Sequence, residues 1–347
     1  MFVPHLRHLL AAVTLISLLA SCAGGSSTTP LASQQNQSHV QKLITACPCL
    51  YVADIGNASV TVYAEGATGD ATPIQTISGS YTGLAYPIDV AVDASRDIYV
   101  ANNRNSTATV YSAGTTGNVA PIQTIAGSMT GVFDPYGIAL NPLNGNIYVA
   151  NSSNGRNGGT VTIYPPGSSG NIAPIGIIKG KRTGLDNPGE VLLGGTGKIY
   201  VPNLFGSSNF LGSVTVYRAG ATRGVPPIQT IGGSNTGLDY PLQVALDSTA
   251  KIYVVNAGDD SVTVYAPRAN GNVAPIRTIE GHKTQLHDPD GIALDASGNI
   301  YVANGYLSSK RGTITIYAAG ARGNATPINI ISGSNTGLHG PRGIAIR

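Results

Sequence analysis

The sequence predicts an all-β fold: a six-bladed β-propeller of four-stranded antiparallel blades, closed by the C-terminal strand pairing into the first blade. Three observations carry this. A tyrosine recurs in near-identical surroundings at Tyr51, Tyr99, Tyr148, Tyr200, Tyr253 and Tyr301, at intervals of 48, 49, 52, 53 and 48 residues. A fixed period near 50 marks a repeat architecture. Each interval holds four short apolar runs separated by Gly, Asn, Ser and Pro. The first unit, from Leu50, lacks one run, and the chain supplies a spare at its end, GIAIR over residues 343–347.

The last full unit shows the runs most plainly: GIALD, NIYVAN, TITIY and PINII. They are rich in strand-forming Val, Ile, Thr and Tyr, and turn residues bound them. None is long enough, or periodic enough at 3.6, for a helix. NIYVA is apolar throughout, as a strand covered on both faces would be. TITIY and PINII alternate, which predicts half-buried strands. Closure by the last strand removes an exposed edge that would template aggregation. One propeller accounts for residues 47–347 as a single domain. The 45 glycines and only 11% charged residues suit many tight turns, and a net charge of +3 without tryptophan offers no footprint for nucleic acid. The domain is expected to be a monomer.

Residues 1–21 read as a secretion signal. Arg7 gives a positive start, Leu9 to Leu19 an apolar core too short to span a bilayer comfortably, and small residues follow. Leu19-Ala20-Ser21-Cys22 resembles the bacterial lipobox, which implies that Cys22 is acylated and becomes the first mature residue. The resemblance implies a lipid-anchored, extracytoplasmic envelope protein. Ala23 rather than Asp after the cysteine points to the outer membrane if the cell is Gram-negative. Residues 22–46 have too little apolar matter to fold and form a tether, roughly 25–30 Å in root-mean-square reach. Cys47 and Cys49 flank Pro48. A bridge across one residue is strained, so a local disulfide and free or partner-linked thiols both stay open.

Positions shared by every unit are expected to be scaffold. Asp54, Asn102, Asn151, Asn203, Asn256 and Asn304 end the second strand, where a short polar side chain can bond the following turn. Asp93, Asp247 and Asp295 sit in the turn after the first strand. Tyr63, Tyr111, Tyr164, Tyr217, Tyr265 and Tyr317 end the third, as packing residues with a wet hydroxyl.

Positions that differ between units are candidates for a site, and strand alternation puts two groups on one face. The first is the start of the innermost strand. The second residue after its proline is Gly137, Gly291 or Gly343 in three units, but Asp89, Glu190 and Gln243 in the others. Asp290 and Arg342 take the preceding position. Two carboxylates facing a channel, Asp89 and Glu190, can hold a divalent cation such as calcium or zinc, or act as acid and base; a solvated polar mouth is the plainer expectation. The second group is the loop after the second strand. It is long in units three, four and six, where it carries Arg156, then Phe205 and Phe210, then Tyr306 and Arg311. Exposed apolar loop residues mark interaction surfaces; the alternative is that Phe205 and Phe210 fold down over the ring. Neither a nucleophile elbow, a zincin motif, a phosphate loop nor a dinucleotide fingerprint is present.

The Pro-x-Gly-Ile-Ala-Leu-Asp opening (289–295) and the Gly-Asn-Ile-Tyr-Val-Ala-Asn second strand (298–304) resemble NHL-type repeats, over almost all of the chain from Leu50. That resemblance implies a binding propeller, since NHL-type propellers include protein- and RNA-binding modules. The related six-bladed group includes metal-dependent lactonases and an amidating lyase, which implies an alternative: a metal-dependent hydrolase at the channel mouth using Asp89, Glu190 and second-strand asparagines. Fold alone does not choose between them. The expectation is a lipid-anchored propeller that binds a small-molecule or protein partner and does no chemistry.

Overall fold

A computed structural model of the chain describes residues 48–152, 158–205, 211–305 and 312–347. Cys22, Cys47, Arg156, Phe210, Tyr306 and Arg311 lie outside them. The described chain forms six four-stranded antiparallel sheets arranged as a ring. Blade one takes β1 (Cys49–Asp54), β2 (Ser59–Ala64) and β3 (Gln75–Ser78). Blade two is β4 (Pro87–Val92), β5 (Ile98–Asn102), β6 (Thr107–Tyr111) and β7 (Gln123–Ile125). Blade three is β8 (Pro135–Leu140), β9 (Ile147–Asn151), β10 (Thr160–Tyr164) and β11 (Gly176–Ile178). Blade four is β12 (Leu192–Leu193), β13 (Ile199–Asn203), β14 (Ser213–Tyr217) and β15 (Gln229–Gly232). Blade five is β16 (Pro241–Leu246), β17 (Ile252–Asn256), β18 (Ser261–Tyr265) and β19 (Arg277–Ile279). Blade six is β20 (Pro289–Leu294), β21 (Ile300–Asn304), β22 (Thr313–Tyr317) and β23 (Asn329–Ile331). The last strand, β24 (Pro341–Ile346), pairs with β1 and completes blade one in the order β24-β1-β2-β3. The ring therefore closes as the missing and spare runs predict.

The core lies between blades. Six apolar clusters among the described residues each join two neighbouring blades, the seam between six and one included. This corrects the third strand: it is buried on both faces rather than alternating, because each blade is sandwiched. The fourth strand is also shorter than PINII suggests. It begins after the Pro-Ile pair, and Ile122, Ile175, Ile276 and Ile328 are exposed. Blade four is the irregular one. Pro202 turns its carbonyl to the inner strand, accepting from Gly189 N–H at 2.9 Å, but has no N–H to return. Its inner ladder shrinks to Leu192–Leu193.

Two shared positions work differently from expectation. The third-strand tyrosines are fully buried, and their hydroxyls are dry. Each donates to a threonine carbonyl in the loop leading into its own blade, as Tyr111 to Thr82 at 2.5 Å and Tyr217 to Thr183 at 2.6 Å. Tyr63 does the same to Thr336, across the seam. Among the described residues, the second-strand asparagines bond the loop leading into their own blade and hydroxyls of the third strand, not the following turn. Asn203 accepts from Asp186 N–H at 3.0 Å and donates to the hydroxyls of Ser213 and Thr215. Among the described residues, Asp54 alone reaches the next turn, accepting from Asn57 N–H; its other oxygen holds His339 and Gly340 N–H at 2.7 and 3.1 Å, clasping the seam. The first-turn aspartates behave as expected: Asp295 accepts from Ser297 and Asn299 N–H.

Candidate functional site

The inner strands β4, β8, β16, β20 and β24 begin with Pro-x-x, and in each the register shifts by a bulge just after the proline. Two rings of side chains result at the channel mouth. The outer ring contains Ile88, Tyr136, Leu242, Asp290 and Arg342; the ring beneath contains Asp89, Glu190 and Gln243 with three glycines.

The lower ring is a polar plug. Asp89 is 1% exposed and Gln243 3%, which replaces the expected solvated mouth. Each of the three side chains accepts the N–H one residue past the equivalent position in the next blade. Asp89 Oδ2 takes Ile138 N–H at 2.9 Å, Glu190 Oε2 takes Val244 N–H at 2.8 Å, and Gln243 Oε1 takes Ile292 N–H at 2.6 Å. An inner strand has no neighbour on its channel side, so these N–H groups need such acceptors. Gln243 also spans the axis, donating Nε2–H to Asp89 Oδ1 at 2.9 Å between opposite blades. Asp89 Oδ1 further accepts Val90 N–H. The glycines make room: a β-carbon on Gly343 would lie 2.6 Å from Asp89 Cα, and one on Gly137 2.5 Å from Glu190 Cα.

Burial raises the Asp89 carboxyl above the usual carboxylate range. Burial, then the Asp89 charge, raises Glu190 well above it. In the outer ring, Arg342 Nη1 donates to Asp290 Oδ1. Burial pushes Asp290 up to about 7 against the pull of that guanidinium. Asp290 Oδ2 and Arg342 Nε are both buried without a hydrogen-bond partner. Between the rings lies a small cavity of about 20 Å³ lined by Tyr136, Glu190, Leu242, Gln243, Asp290 and Arg342, among others. The proposed carboxylate pair does not offer converging oxygens for an ion, since Asp89 spends both on donors. Among the described residues no three His, Cys, Asp or Glu side chains form a metal-binding group.

Above the mouth, the residue before the inner-strand proline is held in the left-handed region in five blades: Tyr86, Asp134, Asn187, Tyr240 and Asp288, at φ between 42° and 58°. Their carbonyls accept N–H groups just past the second strand, such as Asn103 and Ala257, which fixes this costly conformation. Tyr86 and Tyr240 are thereby partly exposed. Phe205 is half-buried and packs edge-to-face on Tyr240, with centroids 5.8 Å apart, so it lies down on the ring rather than standing free. Sequence reasoning missed Tyr136, although its place in Pro-x-Gly is the same as that of Asp290 and Arg342.

The fold is shared with solved structures. A protein of unknown function from Bacteroides caccae superposes with a TM-score of 0.62 at 11% identity, over 87% of this chain and 99% of that one. A functionally unknown protein from Desulfotomaculum acetoxidans gives 0.53 at 12% identity, over 84% and 83%. At such identities the likeness shows the fold alone. No family model and no curated protein matches the chain. The chain is a closed six-bladed β-propeller.

Proposed function

We propose that this propeller, of NHL-type repeats, is a lipid-anchored, extracytoplasmic binding module that presents its channel-mouth face to a ligand or protein partner and performs no chemistry there. The supporting observation is how the mouth carboxyls are used. Asp89 turns both oxygens, and Glu190 one, onto protein donors: Val90 N–H in the same strand, Ile138 and Val244 N–H in neighbouring blades, and the Gln243 amide across the axis. They hold the ring together, where a metal-dependent hydrolase needs oxygens converging on an ion. The orientation suits a tether. Residue 49 starts β1 at the face opposite the mouth, since the other end of that strand, Asp54, pairs with Pro341 at the mouth. A chain anchored through Cys22 therefore holds the mouth away from the membrane.

Two measurements test this. Metal analysis of the purified protein, with calcium and zinc titration of its Tm, is expected to show neither a stoichiometric ion nor a shift. An ion that disappears in Asp89→Asn, together with lactone turnover, would establish the hydrolase instead. Cys22→Ser is expected to move the protein from the membrane to the soluble fraction; continued membrane fractionation would refute the anchor.

A further inference from the structure

Within that binding reading, the chemistry of the ligand follows from an account of donors and acceptors at the mouth. Of the three carboxyls, Asp89 is spent on Val90 N–H, Ile138 N–H and Gln243 Nε2–H. Asp290 gives Oδ1 to Arg342 and directs Oδ2 at the backbone of Gly305, where a β-carbon would strike it, away from the axis. Glu190 gives Oε2 to Val244 N–H. One carboxyl oxygen therefore remains for the cavity.

Donors are in surplus. Asp290 engages Nη1 of Arg342, which leaves the opposite edge of the guanidinium, Nε–H with Nη2–H. Nε is buried and has no hydrogen-bond partner, which is unfavourable for a buried donor. Tyr136 brings a phenol to the same cavity. Burial and the Asp89 charge push the Glu190 carboxyl upward, which disfavours a negative charge at its free corner. The other walls, Ile88 and Leu242, are apolar. The cavity of about 20 Å³ admits an end group and no more. A cation would meet Arg342 and one available oxygen. A planar anion meets a guanidinium edge shaped for two parallel N–H···O bonds.

We propose that the channel mouth takes the carboxylate end of a small organic acid, clasped by the Nε/Nη2 edge of Arg342, with the apolar remainder of the ligand lying between Tyr136 and Leu242. Arg342 is its specificity-determining residue, and Asp290 the positioning residue that orients it.

The test is calorimetric titration of the purified full chain with benzoate, and with benzamide as the neutral isostere. One saturable benzoate site per chain is expected, with benzamide at least ~10-fold weaker, because charge-assisted bidentate bonds are the strong ones. Arg342→Lys keeps the charge but loses the paired edge, and is expected to weaken benzoate at least ~10-fold. Tyr136→Phe, which leaves the Asp290–Arg342 pair in place, is expected to weaken it several-fold. No benzoate heat with the wild type, equal binding of benzamide, or unchanged affinity in Arg342→Lys would each overturn the assignment. Should Arg342→Lys not fold, the benzoate–benzamide comparison on the wild type and Tyr136→Phe still decide it. A protein that ignores benzoate yet is metal-free and membrane-bound loses this assignment alone; a bound ion and lactone turnover would remove the binding reading itself.

Discussion

Gly137→Ala tests how closely the inner strands approach each other at the mouth. Gly137 has no positive φ, so the substitution is not strained by backbone conformation. Its difficulty is space. The new β-carbon would lie 2.5 Å from Glu190 Cα, 2.7 Å from Val191 N and 2.8 Å from the Glu190 carbonyl carbon. Carbon atoms sit comfortably at about 3.5–4.0 Å, so the neighbouring inner strand must retreat by about 1 Å. All three obstacles are backbone, which no rotamer change relieves. That strand also holds Glu190, whose carboxyl caps Val244 N–H of blade five. Overpacking a tight core costs about 1–3 kcal/mol, and a backbone obstacle places Gly137→Ala near the upper end, about 2–3 kcal/mol. Gly195→Ala is the control: it has open space around it and no positive φ, so an unchanged or slightly raised stability, by up to about 1 kcal/mol, is expected. The assay is urea unfolding followed by near-ultraviolet circular dichroism of the 17 tyrosines, since tryptophan is absent. A Gly137→Ala midpoint equal to that of Gly195→Ala would refute the close approach, and with it the steric reason for the glycines in the lower ring.

Tyr111→Phe removes a buried hydroxyl that donates to the Thr82 carbonyl, and the stranded acceptor costs about 1–3 kcal/mol; a loss below 0.5 kcal/mol, roughly the scatter of surface substitutions, would mean that the hydroxyl is wet after all. Burial raises Asp89, Glu190 and Asp54, and carries Asp290 to about 7. The native state keeps these protons where the unfolded chain, with carboxyls titrating near 4, has released them. For Asp89 and Asp290 that contribution is therefore complete below about pH 4 and lost as pH rises through about 7, and Asp54 and Glu190 act in the same direction. Tm should fall between pH 4.5 and 7.5, less steeply in Asp290→Asn; a profile that rises over this range would show that the carboxyls ionise freely.

Blade number, strand order and closure were legible in the chain because they depend on local pattern. The Tyr51-to-Tyr301 period sets the count, the spare run at 343–347 sets the seam, and turn residues separate runs that alternate in direction. Those signals repeat six times, so errors at one copy are corrected by the others. The candidate positions Asp89, Glu190, Gln243, Asp290 and Arg342 were legible as departures from the repeat. Their use was not. That Gln243 meets Asp89, 154 residues away, depends on blades two and five lying opposite one another across a narrow axis. Burial of the tyrosine hydroxyls depends on which loop covers each blade, and the sandwiching of the third strand on the presence of a blade on either side. A strand's sequence records which of its faces are apolar. What stands against each polar atom is decided when the ring closes, because those partners come from other blades and the channel is too narrow to leave them to water.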